Sequence, residues 1–165
     1  MLSPALSYAR GVATWLLILS DATAARWLLD KKKMAFRASA HADRIRRGDH
    51  FALYISRAAH KNPTRDEAQI VAVGVFTSRA VRESVEVAGH RFEETCGLRF
   101  EASLPLRAGV SFSQLVEALT FIRVKNAWAA YVRRTLVPIP DADFQRIATT
   151  VKTAANSRAF EGTTT

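Results

Sequence analysis

Short apolar stretches with a period of two or with continuous β-branched character recur along this chain, and they constrain its fold more than any other feature. "TWLLIL" at 14–19 is a continuous apolar run of the kind a buried strand shows. "HFALYIS" at 50–56 alternates, with Phe51, Leu53 and Ile55 on one side and Ala52, Tyr54 and Ser56 on the other. "QIVAVGVFTS" at 69–78 is dense in valine, and its Gly74 marks a close backbone approach or a bulge in a central strand. "SVEVAGHRFEE" reads as a hairpin about Ala88-Gly89. "LRFEASLPL" alternates again, with Leu98, Phe100, Ala102 and Leu104 expected on one face.

Helices are fewer. "SDATAARWLL" follows the first strand with Ser20 or Asp21 as N-cap, places Trp27 and Leu28 on its inner face and ends in the cations of "DKKK". "FSQLVEAL" and "PDADFQRIATTVKTAA" also read as helical, the latter capped by Asp141 with Phe144, Ile147, Ala148 and Val151 at helical spacing. There is no repeated βα unit, no glycine-rich phosphate loop and no internal repeat, which argues against a doubly wound nucleotide fold. The expected fold class is α+β: a small, strongly curved β-barrel of five to six mostly antiparallel strands flanked by short helices. Residues 1–13 read as a loose leader without a signal-peptide pattern, 14–152 as a single domain, and 153–165 as a flexible C-terminal tail.

The 165 residues suffice for one core. Their balance of 24 Lys and Arg against 15 Asp and Glu, a formal charge of +9, produces a field that attracts polyanions. Nucleic acid is therefore the first partner to test, against the plain alternative of charge for solubility. Arg44, Arg46 and Arg47 precede the Gly48-Asp49 turn and the "HFALYIS" strand. They are candidate phosphate contacts at a barrel rim, with a solvated turn as the alternative. In the "HKNPTRD" loop, Asn62 can bond a base edge or its own backbone, and Arg65 can fork onto a phosphate or onto Asp66.

Enzyme chemistry finds little support. The acids are scattered, the four histidines lack metal-ligand spacing, no GxSxG elbow occurs, and the single cysteine, Cys96, can form neither an internal disulfide nor a multi-cysteine zinc site. No cofactor and no metal are expected, the lone cysteine suits a reducing, cytoplasmic setting, and "TWLLILS" is too short to cross a membrane. A nuclease or RNA-processing hydrolase remains the competing enzyme class, and a scaffold without nucleic-acid ligand the competing binding class.

The order of "TWLLILS", the arginine-rich approach to "RGDHFALYIS", "IVAVGVFTS" and "LTFIRVKNAWAAYVRRTLVPIPDADFQRI" resembles the EVE domain, a branch of the PUA-like superfamily, over roughly residues 14 to 148. The resemblance implies a PUA-like barrel that reads DNA or RNA by accepting a base, especially a methylated or hydroxymethylated cytosine, in an aromatic-lined pocket. It implies too that any effector is a separate protein. Carried over by position, it implies base-binding roles for Trp15, Phe36 with the adjacent Arg37, Tyr54, Ser56 and Trp128. Phe36 stands where many members have tryptophan. For Trp15, Phe36 and Trp128 a core role is the alternative, and for Ser56 satisfaction of a strand end.

Overall fold

The computed structural model describes residues 11–161. Eight strands and two α-helices form in the order β1 (Thr14–Leu19), α1 (Ala22–Lys31), β2 (Lys33–Phe36), β3 (His50–Ile55), β4 (Gln69–Phe76), β5 (Val81–Val87), β6 (His90–Ser103), β7 (Val110–Ser111), β8 (Leu136–Ile139) and α2 (Asp141–Glu161). The strand order is β2-β6-β4-β3-β1-β8, with β5 added on β6 and β7 on β4. Among the described residues only the β1–β3 pair is parallel, Thr14 opposite His50 through Leu19 opposite Ile55, with α1 and β2 crossing over between them. The result is an α+β fold with a strongly curled, half-barrel sheet.

The curl follows from bulges in the central strands. Phe100 pairs with Gly74 and Ala102 with Val73, leaving Glu101 unpaired. A Cβ at Gly74 would run into the Arg99 carbonyl oxygen, so only glycine permits this approach. The bulge also corrects the expectation for β6: Leu98 and Phe100 pack into one core, whereas Ala102 and Leu104 pack into the other. A second register shift lies between Leu53 and Tyr54.

Both faces of the sheet are covered. One core holds Leu16, Ile18, Ala52, Tyr54 and Phe112 under the α2 residues Phe144, Ile147, Ala148 and Val151. The other holds Trp15, Leu17, Phe51, Leu53 and Phe76 against Ala25 and Leu28 of α1 and Phe36 of β2. Thus the alternation of "HFALYIS" resolves as expected, one face to each core. Asp21 caps α1, its Oδ1 accepting from the Ala24 amide at 3.0 Å, and Lys32 ends the helix in the left-handed region at φ 54°. The expected hairpin turns at Ala88 and Gly89, with φ 53° and 79°.

Three expectations change. "FSQLVEAL" forms two 3-10 turns, Phe112–Gln114 and Val116–Ala118, in place of a helix. Asp141 is the first residue of α2 and not its cap, and the helix continues past residue 152 to Glu161, so the expected tail is helical over 153–161. The buried carboxylate near the helix start is Asp143, which accepts from the amides of Thr120 and Phe121 at 2.9 and 2.8 Å and ties the 112–132 segment to α2. Residues 1–10 of the expected leader, and 162–165, lie outside the described residues.

Candidate nucleic-acid interface

Where β1 ends and α1 begins, β2 and the β5–β6 hairpin that pairs with it border a pocket of about 210 Å³. Its walls are Trp27 of α1, Met34 and Ala35 of β2, and Val87 and Phe92 of the hairpin; Ser20, Asp21 and Thr135 supply polar groups among its lining. Trp27 is half-buried, so one of its surfaces stays open to the pocket. Arg37 follows β2 directly and sets its guanidinium 5.4 Å from the Phe92 ring centroid, a cation–π contact beside the pocket wall. Two aromatic side chains in an apolar lining, with a few polar groups beside them, suit a flat, partly apolar ligand held by stacking and selected at its edge.

The arginine ramp is organised by a residue that reads in the sequence only as part of a turn. Asp49 is 2% exposed. Its carboxylate accepts from the Trp15 indole N–H at 3.0 Å, the Ala13 amide at 3.1 Å and the Arg46 amide at 2.9 Å. Gly48, at φ 92°, donates its amide to the Phe76 carbonyl oxygen at 2.9 Å and closes the turn. Trp15 is held by the same carboxylate, and the Arg44 guanidinium lies 5.1 Å from the Trp15 ring centroid. Trp15, Arg44 and Arg46 thus share one cleft of about 500 Å³ with Thr14, Pro138 and Ile139. Arg47 faces a neighbouring groove, which Arg46 also lines. Trp15 and Leu19 are four residues apart on β1, so this cleft and the apolar pocket lie roughly 13 Å apart at ~3.3 Å per residue.

The remaining expected residues are not gathered around either site. Phe36 has no accessible surface and belongs to the core between the sheet and α1; this corrects its expected role as an open stacking platform, because its ring is packed among Met34, Phe76 and Cys96 in that core and does not line the pocket. Tyr54 is 4% exposed and meets Phe112 edge-on at 5.0 Å, and Phe112 in turn meets Trp128 at 5.2 Å. This ladder is core packing beneath the 3-10 segment, with Trp128 partly exposed at its outer end. Burial pushes the Tyr54 hydroxyl up to about 12, against a smaller opposing pull from Arg57. The Ser56 amide donates to the Leu19 carbonyl oxygen, while its Oγ is buried without a partner. Asn62 accepts at its carbonyl from the Arg65 and Asp66 amides and at its side chain from Thr64, so the loop satisfies itself. Arg65 lines a separate polar groove beside α2.

Trp27 and Phe92, which build the pocket, were not singled out as binding residues in the sequence. The signal for Trp27 is its position on α1 next to Leu28: the helix buries Leu28 fully and leaves the larger indole at the edge of that face. Phe92 stands between the exposed Arg91 and Glu93 on an otherwise polar hairpin strand. Among the described residues no group of three or more His, Cys, Asp or Glu side chains is placed to hold a metal ion, and no helix is long and apolar enough to cross a membrane.

No family model matches the chain, and no curated protein matches it either. Solved structures do. The YTH domain-containing protein Mmi1 in complex with RNA superposes with a TM-score of 0.64 at 8% identity, covering 90% of this chain and 86% of that one. The YTH domain of Zygosaccharomyces rouxii MRB1, in complex with N6-methyladenosine RNA, gives 0.58 at 13% identity over 86% and 88%. Rpa0253 from Rhodopseudomonas palustris gives 0.52 at 19% identity over 86% and 94%. At such identities the likeness is one of fold, and the fold is the one these YTH domains share.

Proposed function

We propose that this protein is a reader of single-stranded nucleic acid that takes one unpaired, modified base into the pocket between Trp27 and Phe92, without acting as an enzyme. The observation that carries the proposal is the pocket itself, an aromatic-walled cavity at the junction of β1, α1 and the β5–β6 hairpin. The fold adds support, since two proteins sharing it were solved as complexes with RNA, one of them with N6-methyladenosine RNA. Stacking on an aromatic face contributes ~1–3 kcal/mol for any base. Selectivity then falls to the apolar lining, which favours a base carrying a methyl group, and to Ser20, Asp21 and Thr135 beside it. Arg37, Arg44, Arg46 and Arg47 are the phosphate contacts in this reading.

Within the fold family, the order of sequence segments from "TWLLILS" to "VPIPDADFQRI" supports the EVE branch and with it methylated or hydroxymethylated cytosine as the base; the YTH complexes favour methylated adenine. Titration of single-stranded RNA and DNA carrying one N6-methyladenine, one 5-methylcytosine, one 5-hydroxymethylcytosine or no modification tests the proposal and decides the base. One modified strand is expected to bind tighter than its unmodified counterpart by about 1–3 kcal/mol, roughly 5- to 150-fold, the range set by one methyl-sized group in a fitted pocket. Equal affinities across the panel would overturn the reading.

A further inference from the structure

Beside the arginine turn, the connection from β4 to β5 forms the other wall of an open groove of about 1010 Å³. Arg46 and Arg47 line one side, Arg79 and Arg82 the other, and the hydroxyls of Thr77 and Ser78 lie among them. All four arginines are exposed, and none of their guanidinium groups has an acidic or hydrogen-bonding side-chain partner among the described residues. Asp43 is the only acid in the lining. Elsewhere on the surface basic side chains do pair, Arg107 with Asp66 at 3.1 Å and Lys33 with Glu83 at 3.1 Å. Four like charges around one concavity repel, and an anion that enters relieves the repulsion.

The groove is also held in shape. The Arg46 amide is bound by the buried Asp49 carboxylate, Gly48 donates to the Phe76 carbonyl oxygen and Phe76 returns its amide to the Asp49 carbonyl oxygen at 2.8 Å. On the opposite wall, Ser78 Oγ accepts from the Gly97 amide at 3.0 Å. Guanidinium groups on such a frame suit the forked hydrogen bonding of phosphodiester oxygens. Position supplies the ligand's continuity: β5 runs from Val81 and Arg82 in the groove to Val87 in the pocket wall, roughly 17 Å from Arg82 to Val87 by strand rise.

The geometry points to a phosphodiester tract at Arg46, Arg47, Arg79 and Arg82, which binds the backbone of the strand flanking the base held in the pocket, independently of sequence. This inference rests on the reader function proposed above. It makes the binding footprint longer than one nucleotide and assigns Arg79 and Arg82 a role the sequence does not suggest. A strand that occupies both sites has a length at the lower end of the ~4–16 nucleotides that single-strand-binding folds cover.

The test is the salt dependence of binding to labelled oligouridylate and oligothymidylate, measured by fluorescence anisotropy with the full chain. The wild-type protein is compared with Arg79→Gln/Arg82→Gln, with the charge-conserving Arg79→Lys/Arg82→Lys, and with Arg158→Gln in the last turn of α2. For single strands each neutralised phosphate contributes ~0.7 to the slope of log K against log salt, so the glutamine pair should lower that slope by about 1.4. The lysine pair and Arg158→Gln should leave it unchanged. The glutamine pair should melt no lower than wild type, since it removes repulsion. A slope equal in wild type and the glutamine pair overturns the tract, as does a wild-type affinity insensitive to salt. Failure of the reader function looks different: Trp27→Ala would then leave discrimination between modified and unmodified strands untouched while the slope still responds to Arg79 and Arg82.

Discussion

Replacing Phe36 by alanine separates core packing from ligand binding at the place where sequence pattern and structure disagree most. The ring has no accessible surface and sits with Met34, Ile45, Phe76 and Cys96 in the core beneath α1. Truncation removes a fully buried aromatic and leaves a cavity whose neighbours belong to strands on several sides, so it cannot collapse freely. The expected cost is about 3–5 kcal/mol, out of a total stability that for such domains is ~5–15 kcal/mol. At ~2–4 °C per kcal/mol for a chain of this size, the melting temperature should fall by roughly 6–20 °C. Chemical denaturation should show the same loss as a lower midpoint with little change in slope. Phe36→Trp should also destabilise, by about 1–3 kcal/mol, because the closed core has no room for the larger ring. Affinity for a single-stranded oligonucleotide, measured well below the new melting temperature, should fall much less than stability does. A melting curve unchanged in Phe36→Ala, together with a lost affinity, would refute the placement and restore Phe36 as a stacking platform.

Two further outcomes follow from buried polar groups. Asp49→Ala leaves the Trp15 indole, the Ala13 amide and the Arg46 amide without their acceptor and should cost about 3 kcal/mol or more, with a shifted near-ultraviolet tryptophan signal; an unaltered melt would show that water replaces the carboxylate. Tyr54 ionises at about 12 in the folded protein against 10.0 for the free side chain, so its burial contributes stability that is intact below pH 10 and is lost as pH rises through about 12. Phenolate absorbance should therefore show one tyrosine titrating late, and in Tyr54→Phe the alkaline loss of stability should be smaller; a loss identical to wild type would contradict the assignment.

Much of the fold is written in local pattern, and what is missing has identifiable physical causes. The strands at 14–19, 50–55 and 69–76, the hairpin at Ala88-Gly89 and the inward face of α2 are legible because burial on one or both faces imposes a period that the residues carry. β2 and β8 span only four residues each, too few for a period, and β8 contains Pro138, which its place at the end of the strand order tolerates. The face of β6 cannot be read by alternation, because the bulge at Glu101 exchanges inside for outside between Phe100 and Ala102. The site is harder still. Trp27 and Phe92 come to line one pocket through the pairing of β6 with β2 and β5, a property of the sheet and not of either segment. Position in the EVE resemblance pointed to Tyr54 and Trp128, which the fold spends on packing around Phe112.

The most direct test of the account is a titration of the preferred modified single strand against Trp27→Ala, Phe92→Ala and the wild-type protein, with a thermal melt of each. Trp27 is half-buried and Phe92 lies on the edge of the hairpin, so both variants should retain the fold. Each should lose about 1–3 kcal/mol of binding, roughly 5- to 150-fold, together with the preference for the modified strand over the unmodified one, while the salt dependence set by the arginines remains. Variants that fold, and still prefer the modified strand as strongly as the wild type does, would contradict the claim that this pocket holds the base.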